Sequence, residues 1–384
     1  MKILSVVGAR PNFMKIAPLT NAIENHNKNN PDKRIDHTLV HTGQHYDVRM
    51  SESFFKSLGI PDPDINLEVG SGTHSEQVGY TMMGIEKVLM REKPDWVVVV
   101  GDVNATLAVS VAAKKLCIKV CHIEAGLRSG DMTMPEEINR LVTDRLSDLL
   151  LTPDRISSEN LRREGVTEER ISFVGNIMID TLEQNREKAA LLNIETIIRE
   201  NVCADFIWDE KPVDEKAYAL MTLHRPSNVD EKTVLEPLIR FLLDEVSPDF
   251  VLIWPIHPRS RKKLEDFGLW ELVTAHRRII LLNPIGYHEM LRLNMSCAIM
   301  LTDSGGLQEE CCVLGTPCLT LRWNTERPVT LREHGGASVL VGNNVDKIRK
   351  EYLVTLAQKA SPQRPELWDG ETADRCLKSI LERS

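Results

Sequence analysis

Four carboxylates stand where they could do chemistry. Asp102 follows the apolar run DWVVVV, Glu124 follows KVCHI, and Glu136 and Glu137 come directly behind Pro135 in CHIEAGLRSGDMTMPEEINR, residues 121–140. Such carboxylates are metal ligands, acid/base catalysts or surface charge. A Mg²⁺ site usually shows a tighter group of oxygens or a substrate phosphate close by, and the phosphate-binding signals of this chain lie in its other half. Carboxylates whose proton affinities are pushed apart can take and return protons, so acid/base work is the better reading. Pro135 suits the first turn of a helix, and acids at the next two positions favour the helix dipole. Glu136 and Glu137 therefore have an equally good structural reading.

Basic and hydroxyl groups recur at similar places. GARPNFMK runs from an apolar strand through Gly8 towards a helix, with Arg10 and Lys15 on the approach. These two either contact a phosphate or substrate or are solvated cations beside a turn, and the second glycine and Lys-Ser/Thr of a Walker loop are missing. In LHRPSN, His224 is a proton donor, a phosphate contact or a structural histidine. TDSGGLQEE carries more information. Ser304, Gly305 and Gly306 leave backbone N–H groups unhindered at a helix N-terminus, where a phosphate is favoured. Glu309 or Glu310, a turn later, would accept from ribose hydroxyls; the alternative is a glycine turn capped by Ser304 with exposed glutamates. TERP adds Arg327 as a further cation.

Strands and helices must position these groups. A chain of 384 residues exceeds the ~250–300 residues that one core usually serves, so two domains are expected. Short β-branched runs alternate with helical segments throughout, the pattern of βα units winding a parallel sheet. The first half offers KILSVV, HTLVHT, DWVVVV, KVCHI and DLLLT as strands, and the second ALMTL, FVLIWPI, RIILL, CAIMLT and PCLTL. LEPLIRFLLDEV places Leu235, Leu238, Ile239, Leu242, Leu243 and Val246 on one helical face. The boundaries expected are residues 1–175 for an N-terminal Rossmann-like domain and 176–365 for a second one. A final helix within 366–384 packs back. Ligands of open parallel sheets bind beyond the strands' carboxyl ends, so two such edges facing across a cleft form the expected site.

Composition limits the partners. A net charge of −9 argues against general nucleic-acid or anionic-membrane binding, which need a basic face. No apolar run reaches the ~20 residues that span a bilayer, and MKILSVVGARP meets Arg10 too early for a signal peptide, so a cytoplasmic location is expected. The eight cysteines include no CxxC. Several, Cys117, Cys121, Cys297 and Cys318, lie in or beside apolar runs and are read as reduced, buried side chains.

The motifs GARPNFMKIAPL, TGQHYD, GDVNATLA, HIEAGLRSGDMTMPEEINR, Gly175–Asn176, HRPSN, HPRSR, LTDSGGLQEE and TERP occur in this order in the non-hydrolysing UDP-N-acetylglucosamine 2-epimerases, which the chain resembles over nearly its whole length. The resemblance implies a two-domain GT-B arrangement with the nucleotide held mainly by the second domain. It implies inversion at C2 of UDP-GlcNAc to give UDP-ManNAc through 2-acetamidoglucal and UDP, without metal or other cofactor. It also implies a homodimer, and we expect ManNAc units to feed a surface polysaccharide.

Carried over by motif, Asp102, Glu124, Glu136 and His224 are catalytic, whereas Glu137 keeps its reading as a helix-start acid. Arg10 and Lys15 lie near the phosphates, Ser304, Gly305 and Gly306 hold the diphosphate, Glu310 the ribose, and Arg327 the sugar or phosphate. Gln44, His45 and His257 match an activator site for a second UDP-GlcNAc. The chain departs from relatives in having HRPS for HRRE, and Met290 where some carry an aromatic residue. Alternatives are a 2-epimerase of a UDP-2,3-diacetamido uronic acid, a GT-B glycosyltransferase, a hydrolysing epimerase, or a non-catalytic nucleotide-sugar sensor.

Overall fold

The computed structural model describes residues 1–8, 10–43, 62–204, 206, 213–358 and 362–384. They divide into two compact units, Met1–Gln184 with Glu366–Ser384, and Asn185–Pro365.

Among the described residues of the first unit lie β1 (Lys2–Val7), β2 (Asp36–His41), β3 (Ile65–Asn66), β4 (Trp96–Val100), β5 (Lys119–Ile123), β6 (Leu149–Thr152) and β7 (Ile171–Phe173). They form one sheet in the order β3-β2-β1-β4-β5-β6-β7, every pairing parallel. The run WVVVV of β4 is buried at every position, as a strand covered on both faces must be. The second unit contributes β8 (Tyr218–Thr222), β9 (Val251–Pro255), β10 (Ile279–Leu282), β11 (Ile299–Thr302), β12 (Cys318–Thr320) and β13 (Ser338–Leu340), ordered β10-β9-β8-β11-β12-β13 and again parallel. Strand order reverses between β1 and β4 in one sheet and between β8 and β11 in the other. Such switch points open a crevice at the strand ends.

The helices that matter for the site are α1 (Arg10–Asn29), α2 (His74–Glu92), α3 (Asn104–Lys115), α4 (Pro135–Leu146), α5 (Ile177–Ala190), α6 (Gly305–Leu314) and α7 (Thr372–Leu381). The division between the units falls inside α5, later than the residue 176 expected from sequence. The first turns of α5 belong to the first unit because Ile177, Ile179 and Leu182 are buried there and Thr181 Oγ1 donates to Met14 O at 2.5 Å.

The chain returns to the first unit at α7. Asp180 accepts from Thr372 N and Ala373 N at 3.1 and 2.7 Å, capping α7 from α5. Arg375 Nε donates to Val174 O at 2.6 Å, and Trp368 Nε1 to Pro153 O at 2.9 Å. Gly175 has φ +95°, and a Cβ there would overlap the Leu367 carbonyl. The Gly175–Asn176 motif thus admits the returning segment.

Three strands escaped the sequence reading, β3, β7 and β13. Each has two or three residues at or next to a sheet edge, too few to show alternation. The expected helix LEPLIRFLLDEV is α-helical over Lys232–Phe241 and then widens to a π-helical turn over Leu242–Val246, with all six apolar positions still buried. The cysteines carry no disulfide, and Cys117, read as buried, is exposed; it lies beyond the end of α3 with φ +56°.

Candidate active site

The expected site residues that the structure describes fall into two groups, one in each unit, at or near the carboxyl ends of the strands beside the switch points. In the first unit, Gly101–Asp102 follow the end of β4 and Glu124 follows the end of the neighbouring β5. Glu124 has φ +70°, a left-handed conformation that costs a non-glycine residue about 1–3 kcal/mol and persists where surrounding structure enforces it. Its carboxylate is buried and meets Lys15 Nζ at 2.5 Å. Lys15, expected near the phosphates, is therefore committed to Glu124 from the inward face of α1. Asn12, on the same helix, donates to Val100 O at 2.9 Å and braces the end of β4.

Asp102 has a cation of its own. Arg140 Nη2 pairs with Asp102 Oδ2, and its Nη1 lies 2.7 Å from Glu137 Oε2. Helix α4 starts at Pro135, as its fixed φ favours, and presents a polar face inward: Glu137, Asn139, Arg140, Thr143 and Asp144 are all buried. Asn139 Nδ2 donates to Asp102 O at 2.8 Å.

Glu136 and Glu137 part company here. Glu136 is exposed and makes no hydrogen bond or ion pair with any described residue. Glu137, read from sequence as a helix-start acid, is 2% exposed and accepts from Ser129 N at 3.0 Å, Ser129 Oγ at 3.0 Å and Gly130 N at 2.9 Å. Burial alone would raise its pKa, but the hydrogen bonds from Ser129, Gly130 and Arg140 outweigh it and hold the carboxyl below its ordinary value. Glu137 is thus a clamp joining the 129–130 loop to Arg140. Its place at the helix start matches the sequence reading, and its burial among donors does not.

In the second unit, His224 follows β8 and Ser304 follows β11, strands that pair directly. His224 Nδ1 lies 2.8 Å from Asp303 Oδ1. Asp303 is fully buried and also accepts from His224 N at 2.9 Å, Arg225 N at 2.8 Å and Asn228 Nδ2 at 3.1 Å. Burial works to raise the Asp303 pKa, and these donors, led by His224, bring it below the ordinary value. The arrangement fixes the imidazole by one nitrogen and leaves Nε2 for chemistry. His257 stands beside it, ring centroids 5.5 Å apart, and its Nδ1 accepts from Arg259 N at 3.1 Å as a helix cap. Burial first, and then the His224 charge, lower its pKa.

Ser304 caps α6, its hydroxyl accepting from Leu307 N at 3.5 Å. Gly305 and Gly306 form the first turn behind it. A Cβ on Gly305 would lie 3.2 Å from Arg322 Nη1, 3.3 Å from Glu326 Oε1 and 3.4 Å from Arg327 Nη1, so two guanidinium groups and the carboxylate they share adjoin this helix N-terminus. Arg327 Nε is 2.5 Å from Glu309 Oε1, and Glu326 pairs with both arginines. Glu310 differs from Glu309. Burial pushes its pKa up to about 7, with the Asn294 and Tyr287 side chains pulling down and the Glu309 charge adding to the rise.

Arg10 is the first residue of α1, and its side chain lies outside the described part of the structure; Gln44 and His45 also lie outside the described residues. Sequence reasoning missed Arg140, Asp303 and Arg322. Arg140 was readable as the i+3 partner of Glu137, and Asp303 as a carboxylate at a strand end. Arg322 had no local signal. Among the described residues no group of three or more His, Cys, Asp or Glu side chains is arranged to hold a metal ion, and no helix is long and apolar enough to cross a membrane.

The family model described as UDP-N-acetylglucosamine 2-epimerase matches residues 27–381. The UDP-N-acetylglucosamine 2-epimerase of Methanocaldococcus jannaschii is 42% identical over 381 residues, 99% of each chain. The chain belongs to the UDP-N-acetylglucosamine 2-epimerase family. The crystal structure of the M. jannaschii UDP-GlcNAc 2-epimerase in complex with UDP-GlcNAc and UDP matches with a TM-score of 0.85 and 41% identity over 100% of both chains. A 2-epimerase of UDP-2,3-diacetamido-2,3-dideoxy-D-glucuronate from Pseudomonas aeruginosa is 36% identical over 391 residues, 100% of both chains. This epimerase has the two parallel-sheet α/β domains of the family's GT-B-like structures.

Proposed function

We propose that this epimerase interconverts UDP-N-acetylglucosamine and UDP-N-acetylmannosamine. One carboxylate takes the C2 proton while the C2–H electron pair forms a C1–C2 double bond and the C1–O pair leaves on UDP. The products are 2-acetamidoglucal and UDP. A proton delivered to the other face of C2, with return of a UDP oxygen to C1, completes the inversion. Asp102, Glu124, Glu136 and His224 form the acid/base set, with Asp303 orienting His224. The N-terminus of α6 at Ser304, Gly305 and Gly306, flanked by Arg327 and Arg322, takes the diphosphate, Glu310 takes the ribose, and Arg10 lies near the phosphates. Lys15 serves Glu124 rather than the phosphates.

The observation that carries this reading is the pair of strand-end carboxylates. Asp102 and Glu124 end neighbouring strands next to a switch point, and each is held by its own buried cation. Proton transfer needs groups positioned in this way. UDP-GlcNAc incubated with the enzyme in D₂O should acquire deuterium at C2 and equilibrate with UDP-ManNAc; recovery of unlabelled, unchanged substrate overturns the proposal. The whole-length match to the diacetamido-glucuronate 2-epimerase favours a second reading, and the same assay with that UDP-sugar selects it when exchange there is faster.

Two further parts of the proposal concern partners. Tyr80, Met83 and Met90, on one face of α2, are 55%, 55% and 61% exposed, an apolar stripe that supports a homodimer; a monomeric sedimentation profile would count against it. A second UDP-GlcNAc acting as activator near His257, Gln44 and His45 predicts a sigmoidal substrate dependence. The product would supply ManNAc units for surface polysaccharide from the cytoplasm.

A further inference from the structure

The turns that carry Asp102 and Glu124 are tied together from behind by groups that the proposed chemistry does not use. Asp144, on α4 and 1% exposed, is the hub. Its Oδ2 accepts from Gly126 N at 3.0 Å and lies 2.7 Å from Arg128 Nη1, while its Oδ1 lies 2.6 Å from His122 Nδ1. His122, on β5 and fully buried, turns its other nitrogen, Nε2, to the Gly101 carbonyl at 2.9 Å. Arg128 is held in turn by Glu164, with Nε and Nη2 each donating at 2.7 Å.

Both ring nitrogens of His122 are thus engaged, Nε2 with the Gly101 carbonyl behind β4 and Nδ1 with Asp144 on α4. A ring held at both ends is fixed in place and orientation. Burial acts to raise the Asp144 pKa, but the His122 and Arg128 charges and hydrogen bonds prevail and hold it below its ordinary value.

We propose that His122 is a positioning residue that bridges the Gly101 carbonyl to Asp144 and so holds the Asp102 and Glu124 turns in register. The inference rests on the reading of Asp102 and Glu124 as groups that act on substrate. One bridge reaches Asp102 through the adjacent Gly101. The other reaches Glu124 through Gly126, whose φ of +80° and close approach to the Ser157 carbonyl exclude a side chain. Helix α4, which carries Glu136 and Arg140, is anchored by the same Asp144. The cations Lys15, Arg140 and Arg128 face the carboxylates Glu124, Asp102, Glu137 and Asp144, which keeps a dense buried acid group from repelling itself.

Two substitutions separate the arms of the bridge. In His122→Asn the amide stands where Nδ1 was and keeps Asp144 but not Gly101; in His122→Gln it reaches Gly101 but not Asp144. Each should lower kcat for C2 exchange about 10- to 100-fold, the scale of an ångström-sized misplacement, with KM and UDP binding within about threefold. Wild-type kcat in a folded variant, or a loss of kcat matched by an equal loss of UDP binding, overturns the positioning role. Should both His122 variants fail to fold, Asp144→Asn, which removes the Asp144 charge but keeps the shape, takes their place with the same expectation. Asp102→Asn and Glu124→Gln complete the set: wild-type exchange in these would remove the catalytic reading, an outcome separate from that of the His122 variants.

Discussion

Glu136 and Glu137 are chemically identical neighbours that the structure makes opposites, and conversion of each to glutamine tests why. At Glu137 the new amide retains one acceptor, which suits Gly130 N. Its NH₂ group then confronts donors from Ser129 N and Arg140. One charge-assisted hydrogen bond is lost, worth about 1.5–3 kcal/mol, and the half-buried Ser129 N donor goes unmet at about 1 kcal/mol. A loss near 3 kcal/mol follows, in line with the roughly 3–5 kcal/mol for breaking one side of a buried pair. With a urea m-value of about 3 kcal/mol/M for a domain of this size, the transition of the first unit should move down by about 1 M in circular dichroism. Glu136→Gln, at an exposed position without partners, should stay within about 0.5 kcal/mol of wild type while abolishing C2 exchange. The pH dependence has a definite sign. A carboxyl held below its ordinary value of 4.5 contributes stability above that value and loses it as pH falls through the folded pKa. The gap between wild type and Glu137→Gln should therefore close in acid. Equal urea midpoints for the two variants at neutral pH would refute the argument that burial and donor count separate these residues.

Other outcomes follow from the same reasoning. Gly175→Ala forces a side chain onto φ +95° and into the Leu367 carbonyl; a cost of about 3 kcal/mol or more should appear as lost hydrogen-exchange protection at Thr372 and Ala373. Asp180→Ala removes the cap of α7 and should cost about 1–2 kcal/mol, read as a lower thermal midpoint with substrate KM little changed. His37, whose Nε2 is 2.9 Å from Ser5 Oγ, has a pKa lowered by burial to about 4 from 6.5, despite the Asp64 and Asp36 charges. The unfolded chain binds that proton first, so stability should fall as pH drops from 6.5 towards 4, and His37→Gln should flatten this slope in urea titrations.

Much of the architecture was legible because parallel strands buried on both faces leave continuous apolar runs. DWVVVV, KVCHI and CAIMLT could be read directly, and the polar residues behind them marked the strand ends. The same method failed at α4. Helical faces are found by their apolar stripe, yet α4 turns Glu137, Arg140 and Asp144 inward while Ile138 is 44% exposed. A buried stripe of charges has no signature in hydrophobic periodicity. The partner of Lys15 was hidden for a related reason: a cation after a glycine turn suits a phosphate, and only the fold reveals a carboxylate from beyond a strand more than a hundred positions away.

The residue order by itself determined the alternation of strands and helices, the glycine-opened turn of α6, the proline start of α4 and the roster of carboxylates, because these depend on local backbone preference and on pattern. Tertiary structure decided which charges meet. Lys15 with Glu124, Arg140 with Asp102 and Glu137, His122 with Asp144, and His224 with Asp303 are pairs whose energies depend on burial and on partners mostly distant in sequence. Electrostatic interaction grows as water is excluded, and exclusion is a property of the assembled fold.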